Sequence, residues 1–569
     1  MKKIFKLMFA SLALATTVTS CDDFGDTNLD PEHFNNETVN YYMVFTNAQH
    51  QALGSDWDVW RNGMIYLSQW NQHIAAGGWW WSYGINSYSD GYASSYWGSV
   101  LSGGDRGAIR DIQTVISLWK DDSAHAVDYQ IARIIRAYIF QRLTDLHGDI
   151  PYSEAGNATE FAYPKYDTQE AIYDDLLKEL DEAQAALTSG DAPMQAHDIY
   201  YSGNVAKWKK FANSLMLRTA MRLSKVNPTK AQEWAAKAYA NGVITTTADN
   251  CYLSHEGGSY SNDSSEPYAK IISHEDQDVP YINKTFYDIL ASTNDPRIPL
   301  IMSIYPETNG ELAKDYIPTA SGMANCAPEL QRGLEGFFSM GPTSTYSIKL
   351  HDSYYTDEVL NDASSSIYYK KTHSRPNHYT YGDWQGPTFI CTAAQTNLLL
   401  AEAAYRGWIS GDAASFYNAG VRCAMEQFQT YPNSSAKSLC ATYLNETAIS
   451  TYLTVHPFDS SKALEQINTQ YWITCFCDEY ETFANWRRSG YPELKEKCSV
   501  FNDSGYPGFS SIGSYPLSGD FTDAIVRRFP YPTSEAQINT ANYNEAVGRL
   551  GLNTSESDFN NTRVWWDVR

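Results

Sequence analysis

Residues 127–151 read VDYQIARIIRAYIFQRLTDLHGDIP. Ile131, Ile134, Ile135, Tyr138, Leu143 and Leu146 recur at helical spacing, so one apolar stripe runs through residues 127–147. His147-Gly148-Asp149-Ile150-Pro151 then stops the helix with glycine and proline. The same period continues downstream. Asp167-Thr168-Gln169-Glu170 reads as a capping box opening a helix with Ile172, Leu176, Leu177, Leu180 and Leu187 inward. A helix over roughly 205–224 buries Trp208, Phe211, Ala212, Leu215 and Met216, and a short Ala-rich helix over 229–241 ends at Asn241-Gly242. Ala401-Glu402-Ala403-Ala404-Tyr405-Arg406-Gly407, followed by Ala413, Ala414, Tyr417 and Ala419, has the small-residue spacing of a tetratricopeptide helix pair. Leu464, Ile467, Tyr471 and Cys475 mark one more helix running into Trp486-Arg487-Arg488. Between the helices, stretches of about 245–280, 303–385 and 498–535 are rich in Gly, Ser, Tyr, Asn and Pro. Loops of that length in an ordered domain usually carry function. The pattern predicts a mainly α scaffold displaying long irregular excursions.

Composition narrows the function. The 569 residues hold 66 Asp plus Glu against 42 Lys plus Arg, a net charge of −24, which repels phosphate backbones and argues against nucleic acid as a partner. A hydrophobic content of 43% with 19% charged residues excludes wholesale disorder. There are 42 Tyr and 16 Trp but 22 Phe. Tyr and Trp join an apolar face to a hydrogen-bonding tip, which suits surfaces that grip amphipathic ligands as well as cores.

The N-terminus is an address. Lys2, Lys3 and Lys6 precede an apolar run from Leu7 to Ala15, too short to span a bilayer and of signal-peptide size. Val18-Thr19-Ser20-Cys21 resembles a bacterial lipobox, in which the Cys21 thiol is acylated and becomes the new N-terminus. Asp22, Asp23 and Asp26 resemble the surface-export signal of Bacteroidetes lipoproteins. The expected plan is a signal peptide over 1–20, a lipidated acidic tether over 21–36 and one helical domain over 37–569. No later apolar stretch is long enough to span a bilayer, so attachment would be by lipid alone. The cysteines after Cys21 are widely spaced, unlike a disulfide framework, and read as buried thiols or incidental disulfides. Cys475-x-Cys477 falls within a helical pattern, a poor geometry for a redox pair or a zinc knuckle.

Seven blocks in order carry a family resemblance. They are Leu146-His147-Gly148-Asp149-Ile150-Pro151-Tyr152-Ser153-Glu154-Ala155; Tyr166-Asp167-Thr168-Gln169; Lys207-Trp208-Lys209-Lys210-Phe211-Ala212-Asn213-Ser214-Leu215; Asn294-Asp295-Pro296-Arg297; Leu400-Ala401-Glu402-Ala403; Trp486-Arg487-Arg488-Ser489-Gly490-Tyr491-Pro492; and Arg563-Val564-Trp565-Trp566-Asp567. Together with the lipobox they resemble the SusD/RagB family of nutrient-binding outer-membrane lipoproteins, nearest to the SusD-like 2 branch. The resemblance implies a helical fold built on tetratricopeptide-like pairs. It implies a position on the cell surface of the outer membrane, capping a SusC-like TonB-dependent transporter that imports the captured oligosaccharide. It implies no catalysis and no cofactor. Trp208, Asp149 and Arg487 are expected where helices pack, and ligand contacts on loops that vary.

Trp57, Trp60, Trp70, Trp79, Trp80, Trp81 and Trp97, with Tyr66, Tyr83, Tyr88, Tyr92 and Tyr96 interleaved, make residues 57–97 the densest aromatic region. Sugar rings stack apolar C–H faces on aromatic rings and need polar groups at the rim. Within Gly77-Gly78-Trp79-Trp80-Trp81-Ser82-Tyr83-Gly84, three consecutive Trp cannot all face one side, so one is expected to point outward. This makes Trp79, Trp80, Trp81 and Tyr83 the first ligand candidates, the alternative being packing inside or against the transporter. Trp70 and Trp97 lie in helical stretches and read as core. The loop Arg375 to Trp384 is second, with His378, Tyr381 and Trp384, and the stretch Tyr260 to Tyr281 third. The chain lacks H-E-x-x-H, G-x-S-x-G and G-x-x-x-x-G-K-[ST], and its histidines show no metal-ligand spacing. A peptide or glycopeptide receptor of the same architecture is the alternative function, and a two-carboxylate glycoside hydrolase a weaker third. Asp478, Glu479 and Glu481, near Arg487 and Arg488, read as structural ion-pair partners.

Overall fold

The stripe of residues 127–147 becomes a helix, Ala126–His147, that ends where Gly148 takes φ +89°. The structure, a computed structural model, describes residues 39–568 apart from 76–80, 82–83, 85–87, 102–106, 188–189, 259–263, 276–279, 305–306, 309–310, 313–322, 324, 334–372, 495–525 and 554–561. Cys21 and its flanking segments, together with Trp79, Trp80 and Tyr83, lie outside the described residues. The chain divides into two units, Met1–Val44 and Phe45–Arg569.

The longer helices are α1 (Tyr41–Ala52), α2 (Ala108–Trp119), α3 (Ala126–His147), α4 (Gln169–Ala186), α5 (Val205–Arg222), α6 (Pro228–Asn241), α7 (Lys284–Ser292), α8 (Ala393–Tyr405), α9 (Ala413–Glu426), α10 (Ser434–Tyr443), α11 (Glu446–Val455), α12 (Ala463–Thr474), α13 (Glu479–Ser489) and α14 (Thr540–Arg549). A π-helix, Val59–Ser68, precedes α2. From α2 to α6 each helix packs on its sequence neighbour, and α8 packs on α9, α12 and α5. The α8–α9 pair is the tetratricopeptide-like unit. Its close approach depends on Gly420, where an added Cβ would lie 2.7 Å from Leu398 Cγ and 3.1 Å from the Leu398 backbone nitrogen.

Caps explain the starts. Asn204, Asp412 and Asn445 accept backbone N–H groups at the N-termini of α5, α9 and α11. At α4 the cap is Thr168, accepting from Ala171 N, and no reciprocal box forms. Glu170 stands one position too early to reach back. Asp167 belongs instead to the strand Tyr166–Asp167, paired with Ile150–Pro151, and accepts from Ser153 N.

The long excursions are stitched to the body by short antiparallel pairs. Ile74–Ala75 pairs with Tyr281–Ile282, Met302–Ser303 with Arg375–Pro376, and Cys251–Leu253 with Thr388–Cys391. The seven described cysteines after Cys21 are all free thiols, six of them buried. Cys475 caps α12 and Cys477 has φ +67°, so this pair forms the turn between α12 and α13 and does not lie within a helix.

A charged network runs through the centre. Arg222 Nη2 donates to Glu481 Oε2 at 2.6 Å, and Arg222 Nε lies 3.3 Å from Asp145 Oδ2. Tyr173 donates to Asp145, as does Trp566 Nε1 at 3.1 Å. Arg487 donates to the backbone carbonyls of Asp145 and Arg527. Arg488 forks onto Glu402 at 2.7 and 2.8 Å, and Glu479 accepts from Asn71 at 2.7 Å and meets His73 Nδ1 at 3.0 Å. Glu481 therefore pairs with Arg222 on α5 and Glu479 with Asn71 and His73 in the turn after the π-helix, not with Arg487 and Arg488. Six or more residues at about 1.5 Å of rise each separate them by roughly 9 Å or more. Trp208 donates Nε1 to Asp198 Oδ2 at 2.6 Å, and Asp149 receives Arg549 Nε at 2.6 Å, both at element junctions.

Candidate functional site

Ser55 opens the site by capping the short helix Asp56–Asp58, with a reciprocal bond to Asp58. That turn runs directly into the π-helix Val59–Ser68. A π segment carries an extra residue per turn, shifts the side chains beyond it and is common at functional sites. Trp60 and Arg61 follow Trp57 by three and four positions, and each reaches its ring. Asn62 fixes the fourth member: its amide donates to Ala93 O at 2.7 Å and its carbonyl accepts from Tyr96 N at 2.9 Å, holding Tyr92 alongside.

The result is an aromatic face around a cation. The Trp57 and Trp60 rings meet edge-on with centroids 5.5 Å apart, and Trp60 lies 5.6 Å from Tyr92. Arg61 Cζ sits 5.3 Å from the Trp57 ring centre and 5.1 Å from that of Tyr92. Trp57 is 41% exposed, whereas Trp60 is 7% exposed and forms the floor. The nearby acids are already engaged. Asp56 Oδ2 lies 3.0 Å from Lys270 Nζ, and Asp58 accepts from Ser55, from Ser95 Oγ at 2.6 Å and from Ser99 Oγ at 3.0 Å. Arg61 Nε is buried and has no acceptor among the described residues.

The sequence candidates fall differently. Trp81 is 0% exposed, and its carbonyl accepts from Gln69 Nε2 at 3.0 Å, so it is a core residue offering no face to a ligand. Trp79, Trp80 and Tyr83 lie outside the described residues. His378 is 4% exposed; burial, with Arg375 beside it, pushes its imidazole down to about 3 and keeps it neutral. Its loop is threaded inward: Asn377 Nδ2 donates to Pro299 O at 2.6 Å and Thr380 Oγ1 to Leu300 O at 2.6 Å. Tyr381 is half-buried, its ring 4.7 Å from that of Phe476. Trp384 is half-buried and donates Nε1 to Ser273 Oγ at 2.6 Å. Tyr268 and Tyr281, in the third stretch, are buried. Trp70 and Trp97 are core as expected.

Tyr381 borders a cavity of about 30 Å³ with Glu266, Thr388, Tyr431 and Asp478, room for a water and not for a sugar ring. Burial pushes the Glu266 carboxyl up to about 7 and that of Asp478 to about 6. An open cleft of about 560 Å³ lies at the start of α4, lined by Asp149, Glu170, Arg549 and Trp565 among others. Both of its arginines are already paired, Arg549 with Asp149 at 2.6 Å and Arg563 with Asp567 at 2.8 Å. Among the described residues no cluster of His, Cys, Asp and Glu is set to hold a metal. Arg61 was not singled out by the sequence reading. The Trp57-x-x-Trp60-Arg61 spacing was the available signal.

Residues 38–508 match the SusD-like_2 family, described as starch-binding and associating with the outer membrane, and the chain belongs to that family. No curated protein matches it. Among solved structures it is similar to a chitin-binding protein (28% identity, 93% of this chain and 100% of that one covered, TM-score 0.72). A Bacteroidetes AC2a SusD-like protein is 27% identical with the same coverage and a TM-score of 0.75. A SusD homologue from Bacteroides uniformis is 25% identical, again over 93% and 100%, with a TM-score of 0.64. The mainly helical SusD-like fold implied by the seven motif blocks is the fold observed. Among the described residues no helix is long and apolar enough to cross a membrane.

Proposed function

We propose that this family member is a cell-surface lipoprotein, anchored through Cys21, that binds an oligosaccharide and passes it to a partner TonB-dependent transporter in the outer membrane. The observation that carries the binding half is the exposed face of Trp57 beside Trp60, Tyr92 and Arg61. A flat apolar ring takes the C–H face of a sugar, and the guanidinium at its rim supplies donors to ring substituents. Family membership supports the glycan reading, and the similarity to a chitin-binding protein makes chito-oligosaccharides a first ligand to try. The reading is one of capture without turnover. Tyr381 is assigned to packing around the small cavity and Trp384 to its bond with Ser273, while Trp79, Trp80 and Tyr83 are kept as proposed ligand contacts.

Trp57→Ala is the test. Loss of one aromatic contact ring lowers oligosaccharide affinity by roughly 5- to 150-fold, about 1–3 kcal/mol. A partly exposed side chain costs far less stability than a core Trp, so the melting temperature stays near wild type. Trp60→Ala serves as the contrast, because a floor residue costs about 3–5 kcal/mol of stability. Unchanged affinity in Trp57→Ala across a panel of neutral and acidic oligosaccharides refutes the assignment.

A further inference from the structure

We propose that Arg61 reads a carboxylate on the bound glycan, so that the ligand class is an acidic, uronic-acid-bearing oligosaccharide. This inference rests on the reading of the Trp57 face as the glycan site.

The argument is one of charge accounting. The protein carries 66 acidic side chains, yet none pairs with Arg61 among the described residues, although Asp56 and Asp58 are close in sequence. Both of those carboxylates are turned to other donors: Asp56 to Lys270, Asp58 to Ser55, Ser95 and Ser99. Some enclosed arginines of this fold have acidic partners, as Arg488 with Glu402, Arg297 with Asp295 and Arg222 with Glu481, whereas Arg142 and Arg487 lie against core rings. Arg61 differs from both groups in standing beside an exposed ring, Trp57, with Tyr92 as its second aromatic face. Ring contact engages the face of a guanidinium and leaves its in-plane N–H donors at the edge. Nε is one of these, buried without an acceptor among the described residues. A neutral sugar laid on Trp57 would cover this cation without compensating it, at a desolvation cost. A carboxylate presents two oxygens at the spacing of the guanidinium fork and cancels the charge it buries. The strongly negative net charge repels anions at long range, so acid recognition here is a local property of one residue and not of a basic surface.

The test uses the full-length mature protein and two acidic probes, galacturonic acid oligomers and glucuronic-acid-bearing xylan oligomers, each also as its methyl ester. Chito-oligosaccharides serve as the neutral arm. Esterification removes the charge and keeps the sugar, so the comparison needs no variant to fold. The wild type is expected to bind at least one free acid about tenfold or more tighter than its ester. Arg61→Gln abolishes that preference with its melting temperature retained, and Arg61→Lys keeps part of it. Equal binding of acid and ester, or an acid preference that survives in Arg61→Gln, overturns the inference. If only chito-oligosaccharides bind, and binding depends on Trp57, the Arg61 inference falls and the glycan site stands. If no oligosaccharide binds, both fall.

Discussion

Glu402→Gln tests the link between the tetratricopeptide-like pair and α13. Glu402, on α8, is fully buried and takes a two-pronged contact from Arg488 on α13, with Nη1 and Nη2 at 2.7 and 2.8 Å. Arg406 adds a third contact at 2.8 Å. Burial alone would push the Glu402 carboxyl up, but Arg488 and Arg406 outweigh it and hold it at about 2 against an ordinary 4.5. At about 1.4 kcal/mol per pH unit, that gap corresponds to about 3 kcal/mol of linked stability. An independent route agrees, since removing one partner of a buried pair costs about 3–5 kcal/mol. The sign follows from a depressed acid: the stabilisation is complete above the unfolded value near 4.5 and is lost as pH falls toward 2. Urea unfolding followed by tryptophan fluorescence, at pH 7 and again near pH 2.5, reads both limits. The variant is expected to lose about 3 kcal/mol at pH 7 and much less at the acid end. A loss below about 0.5 kcal/mol at pH 7, or one of equal size at both pH values, would refute the reasoning.

Gly420→Val should destabilise by about 1–3 kcal/mol or more, because the added carbons meet Leu398 across the α8–α9 contact; an unchanged melting temperature would mean the helices are not so closely packed. Glu266→Gln should gain on the wild type as pH rises from 5 to 8, by roughly 2 kcal/mol. Burial holds the Glu266 carboxyl at about 7, so the wild type must ionise it at a cost over that range; a gap independent of pH contradicts this. Cys21→Ala should abolish lipid labelling and release the protein from outer-membrane fractions, since acyl chains contribute about 0.8 kcal/mol per buried methylene. Affinity purification of the tagged protein from native membranes should bring down a large β-barrel, and recovery alone in mild detergent would count against a transporter partner.

The helices were legible because their determinants are local. The Ile131-to-Leu146 stripe, the stop at Gly148 and the end of α6 at Asn241 each rest on residues within a turn or two of one another. Trp208, Asp149 and Arg487 likewise read correctly as packing residues. Partner choice was not legible. Glu481 faces Arg222 and Glu479 faces His73 because the fold brings together segments hundreds of positions apart. The same holds for the site. Nothing within Arg375 to Trp384 says that Asn377 will reach Pro299, or Trp384 reach Ser273, and those contacts turn a loop of apparent binding chemistry inward. Trp81 is enclosed for a similar reason, its backbone held by Gln69. Trp60 and Arg61 were within reach of Trp57 by spacing alone, but Tyr92 joins them only through Asn62 and its clamp on Ala93 and Tyr96. Periodicity and capping act over a few residues and survive in a bare sequence. Exposure, and with it the difference between a core ring and a ligand-facing one, is set by contacts between distant segments, which the tertiary fold alone decides.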